Sequence, residues 1–136
     1  MPARKLSNRL SLARIAIVVV GLLSSVYLAY SATFNVPVAC PTTQLINCDA
    51  VLGSAYANTF GVPNGYLGIA FFLAVLALIY LKKPEPLALL NAAGIAFVAY
   101  FIYAEYRIGS ICLYCTLVHV CTLALLAISL YEISGS

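Results

Sequence analysis

Two cysteines and a histidine, Cys112, Cys115 and His119, carry the strongest chemical signal in the chain. On a helix turning about 100° per residue they fall within about 60° of one another. One stripe would then hold two thiols in the first turn and an imidazole a turn deeper. The stripe heads an apolar run, Ile111 to Tyr131, long enough to cross a membrane. A dithiol at the edge of hydrocarbon suits disulfide exchange coupled to something lipid-soluble. Two residues between the cysteines permit a strained, reactive disulfide, and a helix N-terminus favours a thiolate. The bland alternative is two small apolar side chains in a membrane helix. Covalent haem attachment would need a histidine directly after the second cysteine, and Thr116 stands there.

The other cysteines divide differently. Cys40 and Cys48 lie in a polar, proline-containing segment, where they are either a static structural disulfide or, beside a second pair, half of a relay. A loop would give such a pair the mobility that thiol–disulfide exchange requires. Cys121 falls about 180° around the last helix from Cys112 and reads as an inert buried thiol. His119, the one histidine, is either a satisfied structural side chain or a group that offers a hydrogen bond or proton to a bound carbonyl. Asn64 and Ser54 sit in the same polar segment, with a turn or cap role as the plain reading. Glu105 and Arg107 are expected as solvated interface charges.

The elements that must position these groups follow from composition. Of 136 residues, 64% are hydrophobic and 8% charged, against about a quarter charged in a soluble domain. The expectation is an all-α, integral membrane four-helix bundle in one domain, 1–136. Its helices run at about 12–32, 65–81, 87–106 and 111–131, and an outer loop, 33–64, carries a short interfacial helix. Within that loop Asn47 can cap a helix reaching roughly Asn58, with Val51, Leu52, Ala55 and Tyr56 on one face. The first apolar run exceeds the 7–15 residues of a signal h-region, so a retained helix is expected. A net charge of +3 without interleaved stacking aromatics gives no footprint for nucleic acid. Phosphate loops, nucleophile elbows and H-E-x-x-H are absent from the sequence.

Basic residues set the orientation. Arg4, Lys5, Arg9 and Arg14 precede the first run, and Lys82-Lys83 follow the second. By the positive-inside rule, with an even number of crossings, both termini are cytoplasmic in a multi-pass protein of the cell membrane. Both cysteine pairs then lie on the extracytoplasmic side, where disulfides persist.

The pattern as a whole resembles the vitamin K epoxide reductase family in its prokaryotic form, over nearly the full chain. The resemblance rests on the loop pair Cys40 and Cys48, on Cys48-x5-Ser54, on Phe60-Gly61-Val62-Pro63-Asn64-Gly65, and on Cys112-Leu113-Tyr114-Cys115 opening the last helix. The order, loop pair first and Cys-x-x-Cys last, distinguishes it from the unrelated bacterial quinone-linked disulfide generator. What the resemblance implies is a bundle around a quinone of the menaquinone or ubiquinone type, capped by the outer loop. Carried over, Cys112 and Cys115 would be the redox centre and Cys40 and Cys48 the shuttle pair. Asn64 would hydrogen-bond a quinone carbonyl, and Ser54 matches the family's loop Ser/Thr. At His119 vertebrate members have a tyrosine that bonds the other carbonyl, so the sequence departs there. Since these residues hold no thioredoxin-like domain, the resemblance implies a separate thioredoxin-fold partner (DsbA- or PDI-like) on the outer face. Two rival classes are a metal-binding or metal-transporting membrane protein using the thiols and His119, and a structural protein whose cysteines only staple the loop.

Overall fold

The computed structural model describes residues 2–34, 36, 38–39, 43–52, 58–59 and 61–134. Among the described residues the chain runs through five helices and one two-stranded ribbon: α1 (Pro2–Phe34), α2 (Cys48–Leu52), β1 (Asn58–Thr59), β2 (Val62–Pro63), α3 (Asn64–Tyr80), α4 (Pro84–Ile108) and α5 (Leu113–Ser134). The four longer helices form the bundle, in which α1 packs on α3 and α5, and α4 on α5 and α3. Three of them are long and apolar enough to cross a membrane. The fourth, α3, has 17 residues, which at 1.5 Å each cover about 25 Å. This is a multi-pass membrane architecture, and apolar side chains such as Leu23, Leu89 and Ile102 accordingly face outward.

Helix ends differ from the sequence expectation for local reasons. Pro2 and Pro84 open α1 and α4 rather than preceding them, because a proline at the first helical position forfeits no intrahelical bond. Glu85 adds favourable charge to the first turn of α4. Helix α3 stops in a Schellman arrangement, with Lys82 N–H on Ile79 O (3.2 Å), Lys83 N–H on Leu78 O (3.1 Å) and Lys82 at φ 55°. Helix α4 ends at Gly109, whose φ of 82° no side-chain-bearing residue adopts easily.

The described part of the loop differs from the expected single helix. Asn47 does cap α2, its Oδ1 accepting from Ala50 N–H at 3.1 Å. The helix spans five residues, however, and Asn58 belongs to β1, paired antiparallel with β2 through Asn58–Pro63 and Thr59–Val62. Ala55 and Tyr56, expected on the helix face, lie outside the described residues. Val51 is buried inside the protein rather than facing a membrane surface.

Two buried clusters divide the bundle. One joins Val18, Phe72, Val75, Leu87, Cys121 and Leu125 across all four long helices. The other gathers Leu28, Val38, Cys48, Val51 and Cys112 beneath the loop. Between α1 and α3 the backbones touch: a Cβ on Gly65 would stand 2.5 Å from Ala29 N. That contact holds the start of α3, and Asn64 with it, against α1.

Candidate functional site

Cys112 stands just before α5, in the N-cap position. Its carbonyl accepts from Thr116 N–H at 2.9 Å, and its Sγ accepts from Cys115 N–H at 3.4 Å. The sulfur therefore does for the third helical N–H what a serine oxygen does in an ordinary cap. The Cys115 thiol, hydrogen-bonded to the same sulfur, holds Cys112 below the usual thiol range. Burial opposes this, while the backbone N–H groups of Cys115 and Tyr114 reinforce it. Because Cys112 is outside the helix, it does not share the stripe expected of it. It is fully buried in the cluster beneath the loop, whereas Cys115 and His119 remain one turn apart on the same side of α5.

Cys48 is brought to this point by backbone pairing. Residues 45–47 run parallel to Ile111: Ile111 N–H donates to Leu45 O (2.7 Å) and Asn47 N–H to Ile111 O (3.0 Å). The next residue, Cys48, is 1% exposed, and its Sγ accepts from Leu113 N–H at 3.4 Å. Cys48 thus opens the short helix that Asn47 caps and is buried at the N-terminus of α5. Cys48 is disulfide-bonded, whereas Cys112, Cys115 and Cys121 are free thiols. Two tyrosines fix the preceding strand of chain. Tyr27 OH accepts from Ala39 N–H (2.9 Å) and Tyr114 OH donates to Ala39 O, with the two rings packed edge to face. Cys40 and Ser54 lie outside the described residues.

On the other side of Cys115 is a cavity of about 830 Å³ between α1, α3, α4 and α5, roofed by Val51, Asn58 and Pro63. Its walls are mostly apolar. Asn64, Cys115 and His119 all border it, so the structure brings these three sequence-selected residues together, and Cys112 is not on its wall. Phe101 lies parallel to the His119 ring, with centroids 6.0 Å apart and 10° between planes.

Glu105 was expected as a solvated charge, and the structure corrects this. Its carboxyl is buried in the cavity wall, with Oε1 3.9 Å from His119 Nδ1 and without a hydrogen-bond partner among the described residues. The cause is register. Leu87, Asn91, Gly94, Val98 and Glu105 follow one inward stripe of α4, with spacings of three, four and seven. Arg107, two residues on, is exposed as expected. Among the described residues no group of three or more His, Cys, Asp or Glu is arranged to hold a metal ion.

Helices packed around an apolar cavity, with a dithiol set between that cavity and an outer loop, define a membrane redox protein of the disulfide-exchanging class. The model of the vitamin K epoxide reductase family matches residues 12–130, and the chain belongs to that family. Membership makes it a membrane oxidoreductase. Members in general link disulfide exchange to a quinone and are coupled to thioredoxin-fold partners. The cavity fits such a group. Its volume lies in the range of small-molecule pockets, its walls are apolar, and the few polar groups on it include a buried carboxyl oxygen with no hydrogen-bond partner among the described residues.

Proposed function

We propose that this single domain, 1–136, takes electrons from a thioredoxin-fold partner on the outer face and delivers them to a quinone, so generating disulfides. The partner's dithiol reduces a Cys40–Cys48 disulfide and is itself oxidised. The Cys48 thiolate attacks Sγ of Cys112 in a Cys112–Cys115 disulfide, breaking that S–S bond and releasing Cys115 as a thiolate. Cys40 then attacks Cys48, restoring the loop disulfide and freeing Cys112, and the Cys112–Cys115 disulfide re-forms as that pair gives up two electrons. Bound in the cavity, a quinone of the menaquinone or ubiquinone type supplies the sink for two electrons and two protons. Asn64, His119 and Ser54 are the groups that would hold its oxygens.

The observation that carries this reading is the division of labour within Cys-x-x-Cys. Cys112 packs with Cys48 and is not on the cavity wall, whereas Cys115, one helical turn deeper, touches the edge of that cluster and opens on the cavity. The loop sulfur reaches one member of the pair and a cavity ligand the other. Orientation follows the charges. With four crossings, including α3, both termini are cytoplasmic and the cysteine pairs extracytoplasmic.

The test is dithiol-driven quinone reduction, followed by absorbance, by the purified protein and its Cys115→Ala variant. Loss of reduction in the variant supports the assignment. A variant that still turns over sinks it. Bound zinc or copper with no quinone dependence would favour the metal-binding reading instead.

A further inference from the structure

Glu105 has no part in that electron route, yet it is a buried carboxyl in the wall of an apolar cavity. Its Oε1 has no hydrogen-bond partner among the described residues. The imidazole of His119 faces it with Nδ1 3.9 Å away, longer than a hydrogen bond, so the imidazole does not satisfy it. Stacking on Phe101 holds the imidazole plane in place.

Proton counting gives the pair a task. Reducing a quinone to a quinol takes two electrons and two protons. In the proposed exchange Cys115 is released as a thiolate, which carries electrons and no proton. Among the described residues on the cavity wall, Glu105, Cys115 and His119 are the titratable side chains. The remaining polar side chains are hydroxyls and amides such as Ser25, Asn64 and Thr122, which donate hydrogen bonds but do not release protons near neutral pH. Thr122 is in any case turned to Val118 O.

We propose that Glu105 and His119 form the proton relay of the cavity, Glu105 supplying through the imidazole a proton to the quinone oxygen that His119 faces. This rests on the function proposed above. The balance closes: the partner's two thiols lose two electrons and two protons in becoming a disulfide, the quinol gains two of each, and Glu105 and His119 end each cycle as they began. Around Glu105, the facing titratable groups are Cys115 and His119 from α5. An ionised Glu105 also disfavours the Cys112 thiolate. On α4 itself Arg107 points outward.

The experiment compares Glu105→Gln and Glu105→Asp with the wild type in three measurements: quinone reduction against pH, partner-driven thiol exchange trapped by acid quench, and the carboxyl band in infrared difference spectra of quinone-free protein. Glu105→Gln keeps the shape and removes the proton. The expected result is a fall in kcat on the order of 10²-fold, with KM and thiol exchange within about twofold. Glu105→Asp restores part of the loss. In the quinone-free protein, a carboxyl band present in the wild type is absent from Glu105→Gln, and its titration midpoint moves in His119→Gln. Wild-type kcat and pH profile in Glu105→Gln would overturn the relay, as would an equal loss of thiol exchange, or a band indifferent to His119→Gln. If the wild type exchanges thiols but reduces no quinone, the functional reading fails and the relay falls with it. That outcome is distinct from a relay that fails alone.

Discussion

Leu113 N–H donates to Sγ of Cys48 at 3.4 Å, across 65 positions of sequence. Leu113 is the first residue of α5, and two positions on, Cys115 N–H donates to Sγ of Cys112 at 3.4 Å. Two of the N–H groups that any helix leaves unsatisfied at its start are therefore capped by sulfur, one from each cysteine pair. Negative charge is favoured at that end of the helix dipole. The same helix start therefore favours the Cys48 thiolate before its attack and the Cys112 thiolate released when Cys40 resolves the mixed disulfide.

This geometry predicts a specific covalent intermediate. In Cys115→Ala the Cys112 thiol has lost the partner within its own pair; it attacks Sγ of Cys48 in the Cys40–Cys48 disulfide and releases Cys40, so a Cys48–Cys112 disulfide should accumulate and be found by peptide mass spectrometry under non-reducing conditions. Cys112→Ala should give no link between Cys48 and Cys115, because Cys115 faces the cavity. A Cys48–Cys115 link as the dominant species would reverse the assignment of the two thiols.

The hydrogen bond from the Cys115 thiol sets the acidity of Cys112, and this can be titrated. With its pKa lowered, Cys112 in the reduced protein holds more thiolate at a given pH than an ordinary cysteine does. Thiolate ultraviolet absorbance should therefore show a step below the usual thiol range. Cys115→Ala removes the largest favourable contribution and leaves burial, which acts the other way, so the step should move up in pH. At neutral pH the thiolate fraction falls accordingly. An unmoved midpoint would mean that the backbone N–H groups alone hold the charge.

The parts of the site that were legible in the sequence are those set by local periodicity. Cys115 and His119 share a side of α5 because they are four apart on a continuous helix. Cys112 leaves that stripe because the helix starts one residue later, and a cap residue has no helical backbone to aim it. The burial of Cys48 was not legible, since it depends on a parallel pairing of residues 45–47 with Ile111, a contact between distant segments. Glu105 was legible in principle. It continues the inward spacing of Leu87, Asn91 and Val98, and an ionisable residue within an apolar helix marks a functional position more often than a solvated one.

Close packing of α1 on α3 gives a graded stability prediction. A Cβ at Gly65 meets backbone, Ala29 N at 2.5 Å and Ser25 O at 2.9 Å, which cannot yield without moving a helix. A Cβ at Gly68 meets the Ser25 hydroxyl, which can rotate away, and the Ser25 Cβ at 3.0 Å. Gly65→Ala should cost about 1–3 kcal/mol and Gly68→Ala less. Thermal unfolding in detergent of the two variants checks the order, and equal losses would show that the helices give way at both sites.

Asn64 separates ligand holding from thiol chemistry. It is the first residue of α3, fixed against α1 through the Gly65 contact, and it borders the same cavity as Cys115. If its amide holds a quinone oxygen, Asn64→Ala removes one hydrogen bond, about 1 kcal/mol, or about fivefold in KM. Partner-driven exchange at Cys112 should continue at the wild-type rate, because the helix start that positions both sulfurs is untouched. Quinone titrations run beside acid-quenched thiol trapping give both numbers from one preparation. A fall in exchange rate with KM unchanged would place Asn64 in the support of the loop instead.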